Sequence, residues 1–188
     1  MSYVGEVGFE LYTKIDESKK LFLAIIKEGK NHGLSLCGAH AMDIMRMESG
    51  FLHWGHDISP EENQYQAGLK FAISYKKNIN FVGKEALLKI KDQSPTKSLA
   101  MMVLKDNRPG EPLLLHEEPI YLDDKIIGRT TSGNYSFNFK KNISFGYVNS
   151  GNTIENLVNK NLSIEVEKKK YPVTIIKKPL NQKNIKDI

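Results

Sequence analysis

The first ten residues carry an aromatic ring and a carboxylate at a spacing suited to holding a flat heterocycle. Tyr3 and Glu10 are seven positions apart, with Gly5 and Gly8 between them. A carboxylate accepts two parallel N–H bonds from a planar edge, and a tyrosine offers a stacking face or a phenolic hydrogen bond. Alternatively, Tyr3 packs in a core and Glu10 faces water. The residues alone leave both interpretations open.

Arg46 is a second candidate because it lies between two methionines and arginine is rare in this chain. Only three of the 27 basic residues are arginines: Arg46, Arg108 and Arg129. A half-buried guanidinium needs a partner, because an unpaired buried charge is strongly destabilising. Asp43 or Glu48 can provide that partner from the same helix, or Arg46 binds a substrate carboxylate.

The run at residues 53–57 contains His53, His56 and Asp57 and raises the question of a metal site. Such a site needs at least three converging ligands. The other histidines, at positions 32, 40 and 116, follow no metal-binding pattern, so the sequence predicts no metal. Sequence signatures of serine hydrolases, zinc peptidases, P-loops and dinucleotide folds are also missing.

Composition narrows the class of protein. The net charge is +5, but the basic residues are mostly scattered lysines, which argues against nucleic-acid binding. No apolar run reaches about 18 residues and no signal peptide is evident, so we expect no membrane span and a cytoplasmic location. Cys37 is the single cysteine, which allows no internal disulfide. Its apolar neighbours predict a buried thiol.

The pattern of apolar residues changes along the chain. The first part mixes strands and helices, and an acidic residue at position 16 is expected to cap the first helix. Gly50 is placed to end the second helix. We predict strands over residues 9–13, 34–37 and 67–75, and helices over residues 16–30, 39–48 and 83–91.

After a polar, proline-containing connector at residues 92–97, short strand-like runs follow one another without a helical period. A hairpin turn is expected at Asp123 and Asp124. This spacing predicts a small antiparallel barrel or sandwich, and we expect the polar end, residues 181–188, to be frayed. The predicted strands cover residues 98–104, 119–122, 125–131, 143–148, 162–167 and 171–176.

Eight motifs in this order resemble the glycine-cleavage T-protein (aminomethyltransferase) family. The similarity is greatest to the folate-binding C-terminal half of dimethylglycine and sarcosine dehydrogenases. Two of the motifs are Tyr-x-Gly-Glu-x-Gly-x-Glu at residues 3–10 and G-x-x-A-x-D-x-x-R-x-E-x-G at residues 38–50. The other six lie at residues 51–58, 67–69, 81–87, 118–120, 128–133 and 145–148.

The resemblance implies an α+β fold. Residues 1–96 would be part of a ferredoxin-like folate-binding domain, and residues 97–188 a small antiparallel β-barrel domain. The implied ligand is tetrahydrofolate, which takes a one-carbon unit from an aminomethyl or N-methyl donor. Tyr3 would contact the folate and Glu10 the pterin edge. Arg46 either touches the folate or braces its site, and Arg129 and Ser132 would lie in a barrel turn that faces the site.

Some family features are absent. Gln64 and Gln66 replace a proline and a glutamate, and the family's catalytic aspartate belongs to an N-terminal half that is missing here. We therefore expect no catalytic residue in this chain, and a partner that is either that half or a flavoprotein subunit. The alternative is a non-catalytic fragment that serves as an assembly module for a dehydrogenase complex. Folate-dependent iron–sulfur assembly proteins are a third candidate, disfavoured because their cysteine motif is missing.

Overall fold

The C-terminal part of the chain folds into a closed barrel of six antiparallel strands. The structure is a computed structural model that describes residues 2–77, 79–106, 108–149, 151 and 154–176. Around the barrel the strand order is β1-β4-β3-β2-β5-β6, and β6 pairs with β1 to close it. The strands are β1 Lys97–Leu104, β2 Pro119–Leu122, β3 Lys125–Ser136, β4 Lys141–Asn149, β5 Leu162–Val166 and β6 Lys169–Ile176.

All six predicted strands of this part are confirmed, with β3 and β4 longer than expected. The predicted hairpin turn is also present, since β2 ends just before Asp123, which adopts a φ of 54°. Alternating apolar side chains fill the barrel, as the period of two requires. Its centre is formed by Ala100, Met102, Leu104, Ile120, Ile127, Val148, Leu162, Ile164, Val173 and Ile175. The polar end at residues 181–188 lies outside the described residues.

Strand β4 is buried on both faces because a helix covers its outer side. Helix α2, Ala39–Glu48, packs Ile44 and Met47 against Ile143 and Phe145 of β4. The helix has its predicted bounds. It ends in a Schellman motif around Gly50, whose φ is 74°. The amide of Gly50 donates to the carbonyl of Met47, and the amide of Phe51 donates to the carbonyl of Arg46. This packing fixes α2 to the barrel wall.

The other helices are α1 Ile15–Gly29, α3 Lys84–Ile90 and the single turn α4 Ile154–Leu157. The helix predicted over residues 16–30 is confirmed, but its predicted cap is wrong. Lys14 occupies the N-cap position without a side-chain cap, and Asp16 lies in the first turn. No residue of α1 is buried. Within the described part of the chain, no helix is long and apolar enough to cross a membrane.

Three strands predicted in the first part of the chain are wrong. Residues 9–13 and 34–37 lie outside helices and strands, and residues 67–75 contain only a 3-10 turn, Lys70–Ala72. A strand needs a neighbour to pair its N–H and C=O groups, and all named strands of the described chain belong to the barrel. The prediction of a buried Cys37 is also wrong, because this thiol is exposed.

Candidate functional site

Two cavities lie next to helix α2, and Tyr3 lines both of them. The larger, about 790 Å³, has mainly apolar walls from residues 49–52, which follow α2, from residues 67–71 and from strand β1. The smaller, about 290 Å³, lies between the start of α2, the loop at residues 53–56, residues 113–116 and β3. Tyr3 therefore stands on the wall between two spaces, where a ligand in either one can reach it.

The hydroxyl of Tyr3 is buried and has no hydrogen-bond partner among the described residues. Burial raises the pKa of this phenol, and the charge of Arg46 offsets only part of the rise. The hydroxyl therefore stays protonated near neutral pH and keeps its capacity to donate. A buried polar group without a partner is rare in folded proteins and calls for an explanation such as water or a ligand.

Arg46 is buried at the centre of this region with 1% of its surface exposed. Its Nε and Nη2 atoms bind Oδ1 of Asp43 at 2.8 and 2.7 Å. Nη2 also donates to Oγ of Ser132 at 2.7 Å, and Nη1 donates to Asp57 and to the carbonyl of Phe51 at 3.1 Å. Four hydrogen bonds and the ion pair with Asp43 thus hold the guanidinium within the protein. Arg46 fastens α2, the loop after it and the barrel to one another.

Asp57 is the buried counter-charge of Arg46 and was not identified from the sequence as a structural partner. Its carboxylate accepts bonds from the amide of His53 at 2.9 Å, from Thr131 at 2.5 Å and from Ser132 at 2.8 Å. With Arg46 added, four donors satisfy this carboxylate, and the acid is fully enclosed. In the sequence Asp57 stood out only as the acid beside two histidines, whereas in the structure its carboxylate contacts α2, the loop at His53 and the barrel.

A second buried carboxylate anchors the same last turn of α2. Glu48 accepts a hydrogen bond from the Ser136 hydroxyl and another, at 2.8 Å, from the amide of Asn138. The sequence offered Glu48 as a possible partner of Arg46. In the structure it binds the end of β3 instead, and Asp43 and Asp57 pair with Arg46. The last turn of α2 is therefore attached to the barrel by two polar contacts, one from Arg46 to Ser132 and one from Ser136 to Glu48.

Of the four residues proposed as folate contacts, the structure brings two together. Tyr3 and Arg46 both line the smaller cavity. Glu10 is exposed and accepts a hydrogen bond from Tyr12 at 2.6 Å, and it lines neither cavity. Arg129 projects outward from β3 with 71% of its side chain exposed and pairs with Glu117 at 2.8 Å. Ser132 is buried in the Arg46 network.

Histidines that are distant in sequence meet at the smaller cavity. Rings of His53 and His56 have centroids 4.5 Å apart, and His116 lies 6.2 Å from His56. No sequence pattern groups His116 with the other two, because it is some 60 positions further on, in a loop before β2. No set of three or more potential ligands in the described residues is arranged to hold a metal ion.

Tyr147 of β4 connects the loop that carries Asp57 to the barrel. Ionisation of its phenol makes the free energy of unfolding depend on pH in the alkaline range. Its hydroxyl donates to the Asp57 carbonyl at 2.9 Å. Burial raises the pKa of Tyr147, and the charges of Glu62 and Asp57 add to the rise. The folded state thus retains a proton that the unfolded state loses above about pH 10, so the stabilisation present below that pH is lost as pH rises further.

We expect the free energy of unfolding to fall more steeply above about pH 10 in the native sequence than in Tyr147→Phe. The difference in slope should approach about 1.4 kcal/mol per pH unit. Urea unfolding at several alkaline pH values measures it. Tyr171→Phe, on β6, is the control and should retain the native slope. Equal slopes for Tyr147→Phe and the native chain would contradict the assignment.

Comparison with known proteins identifies the class of protein. Residues 1–77 match the family described as "GCVT N-terminal domain", and residues 97–181 match "Glycine cleavage T-protein C-terminal barrel domain". The fold agrees with a solved structure of glycine cleavage system aminomethyltransferase T from Bartonella henselae. The TM-score is 0.73 at 20% identity, over 88% of this chain and 44% of that chain.

Two curated relatives extend the match. Dimethylglycine dehydrogenase, mitochondrial, from Homo sapiens is 34% identical over 182 residues, which are 96% of this chain and 20% of that protein. The 4-methylaminobutanoate oxidase (formaldehyde-forming) of Paenarthrobacter nicotinovorans is 42% identical over 135 residues, 72% of this chain and 16% of that protein. The chain therefore spans a fifth or less of the length of these relatives.

The mixed helix-and-strand fold with its terminal barrel defines a protein of the T-protein class. The chain belongs to the glycine cleavage T-protein family, whose members include aminomethyltransferases and dimethylglycine dehydrogenases.

Proposed function

We propose that this chain forms the tetrahydrofolate-binding wall of a one-carbon transferase. Residues 1–96 act as a partial folate-binding domain and residues 97–188 as its barrel domain. Tetrahydrofolate supplies the acceptor for a one-carbon unit from an aminomethyl or N-methyl donor. The family membership supports the reaction class, and the unpaired Tyr3 hydroxyl is the observation in this structure that carries the proposal.

The residues around Tyr3 fit a ligand of this kind. Folate combines a flat, hydrogen-bonding pterin with an apolar linker, and ligand sites in proteins combine apolar walls with a few polar groups. The larger cavity, about 790 Å³, has apolar walls, and among the described residues the Tyr3 hydroxyl is the buried side-chain donor without a partner. This hydroxyl is available to a ligand because no described residue accepts from it.

The four proposed ligand residues have different parts in this proposal. Tyr3 donates to the folate, and Glu10 accepts from the pterin edge once its segment is held against a partner. Arg46 positions the loop at residues 51–58, because it donates to the Phe51 carbonyl and to Asp57 within the protein. Arg129 contributes at the rim of the barrel, where its Glu117 partner leaves it largely exposed.

The partner is the family's N-terminal half or a flavoprotein subunit. The segment before α2 supports this proposal because its large apolar side chains are exposed, among them Val7, Phe9, Tyr12, Ile15 and Phe22. Exposed apolar surface of this extent marks an interaction site. The proposed compartment is the cytoplasm, given the single cysteine, although the name of the human relative places that protein in mitochondria.

A titration with 5-formyltetrahydrofolate, followed by calorimetry, tests the proposal. The chain alone should bind weakly, and adding the N-terminal half of a T-protein relative should tighten binding. Tyr3→Phe should weaken binding about tenfold, because a hydrogen bond to a buried partner contributes about 1 kcal/mol or more. Glu10→Gln should have at least an equal effect, because it removes the charge from a paired contact.

The matched control is Tyr135→Phe, which removes a phenol from β3 that lines neither cavity. Its affinity should equal that of the native chain. The absence of folate binding even with the N-terminal half present would refute the proposal. Binding that is the same in Tyr3→Phe and in the native chain would remove the observation on which it rests.

A further inference from the structure

Four of the five histidines border the smaller cavity. They come from separate parts of the chain: the first turn of α2, the loop after α2 and the loop before β2. The fifth, His32, lies on an exposed 3-10 turn after α1. The four that meet at the cavity are His40, His53, His56 and His116.

Three of these imidazoles and Tyr3 form a row of rings along the cavity. Centroid separations along the row are 6.2 Å from His116 to His56, 4.5 Å from His56 to His53 and 6.4 Å from His53 to Tyr3. The row ends at the buried Tyr3 hydroxyl, which has no partner among the described residues. The remaining wall includes the apolar side chains of Met42 and Leu113–Leu115. A short methylene chain with a polar end suits this lining.

The other charged groups at or near the cavity already have ion-pair or hydrogen-bond partners within the protein. Arg46 is shared by Asp43 and Asp57, which leaves this trio with one negative charge. Two glutamates follow His116 in the chain. Glu117 pairs with Arg129, and Glu118 accepts hydrogen bonds from the Leu115 amide and the Thr130 hydroxyl. Imidazoles are the groups whose charge changes between about pH 5 and pH 8. Protonation of two of them therefore turns the local charge from negative to positive.

We propose that the histidine cavity binds a carboxylate carried on a short methylene chain, and binds it more tightly when the imidazoles are protonated. Protonated imidazoles and the Tyr3 phenol are all donors, and a carboxylate is an acceptor that takes several of them. This inference rests on the proposed function for the source of the carboxylate, which is the glutamyl tail of folate. A free acidic peptide presents the same chemistry, and the test separates the two sources.

Calorimetric titrations at about pH 6 and about pH 8 test this with three probes. The first is 5-formyltetrahydrofolate triglutamate, the second is 5-formyltetrahydropteroate, which has no glutamate, and the third is γ-glutamylglutamate alone. The triglutamate should bind about tenfold tighter at the lower pH, since charge-assisted hydrogen bonds contribute about 1.5 kcal/mol or more. The probe without a tail should show no such change.

The double variant His56→Gln/His116→Gln should remove the pH dependence, and His32→Gln should preserve it. Both histidines of the double variant are exposed, so the fold should tolerate their replacement. If the triglutamate keeps its pH dependence in the double variant, or shows none in the native chain, the inference is overturned while folate binding stands. If only γ-glutamylglutamate binds, with the histidine-dependent pH response, the carboxylate site stands and the proposed function fails.

Discussion

Replacing Arg46 with methionine is expected to lower the free energy of unfolding by about 3–5 kcal/mol. The reason is the carboxylate of Asp57, which is enclosed and relies on Arg46 as its only cationic partner in the described chain. Methionine fills much of the same space but leaves that charge uncompensated in a medium of low dielectric. Urea unfolding followed by circular dichroism measures the loss.

Arg129→Met is the matched control, because it removes the same type of side chain from an exposed ion pair with Glu117. It should cost less than about 1 kcal/mol. Adding Asp57→Asn to Arg46→Met should recover part of the loss, since the uncompensated charge is then gone. Equal destabilisation by Arg46→Met and Arg129→Met would show that the buried network does not hold α2 to the barrel.

Gly128→Ala is expected to destabilise the chain by about 3 kcal/mol, because the barrel wall has no room for a methyl group at this position. An added Cβ would lie 1.8 Å from the carbonyl oxygen of Tyr147 and 3.1 Å from Cα of Val148. Both atoms belong to the backbone of β4, so they cannot move away by a rotamer change as a side chain can. Thermal unfolding by calorimetry measures the change.

Gly38→Ala is the control for this substitution. Gly38 precedes α2 with a φ of −83°, and an added Cβ meets no atom within 4 Å. Its cost should be about 1 kcal/mol or less, the difference between glycine and alanine at an N-cap. A loss of stability in Gly128→Ala as small as that in Gly38→Ala would mean that β3 and β4 separate easily at this point.

The barrel was predictable because its signals are local. Apolar residues recur at alternate positions along the strands, as Ala100, Met102 and Leu104 do on β1, and turn residues such as Asp123 separate the strands. Helix α2 was equally predictable, because its helical pattern of apolar residues ends where Gly50 is placed to terminate a helix. The strand predicted over residues 9–13 failed for the opposite reason. Its pattern is compatible with a strand, but no described segment of this chain pairs with it.

The contacts of the site were predictable only in part. Arg46 and Asp43 are three positions apart on one helix, so their pairing follows from helical geometry. The contacts of Arg46 with Asp57 and Ser132 depend on how the loop and β3 pack around α2. The meeting of His56 with His116 depends in the same way on the barrel's assembly, because the two are 60 positions apart. Sequence periodicity carries no information about such distances.

Closure of the barrel has a consequence for how quickly the chain folds. Met101 and Leu104 of β1 pair with Ile176 and Val173 of β6, about 70 residues further along the chain. The loop that joins them must close before these contacts contribute any energy, and sheets dominated by such distant pairings fold on the scale of milliseconds to seconds. Helix α2 forms from neighbouring residues and needs no such search. A helix of 10 residues is marginal on its own in water, so α2 becomes stable only once the slower closure of the barrel supplies the strands against which it packs.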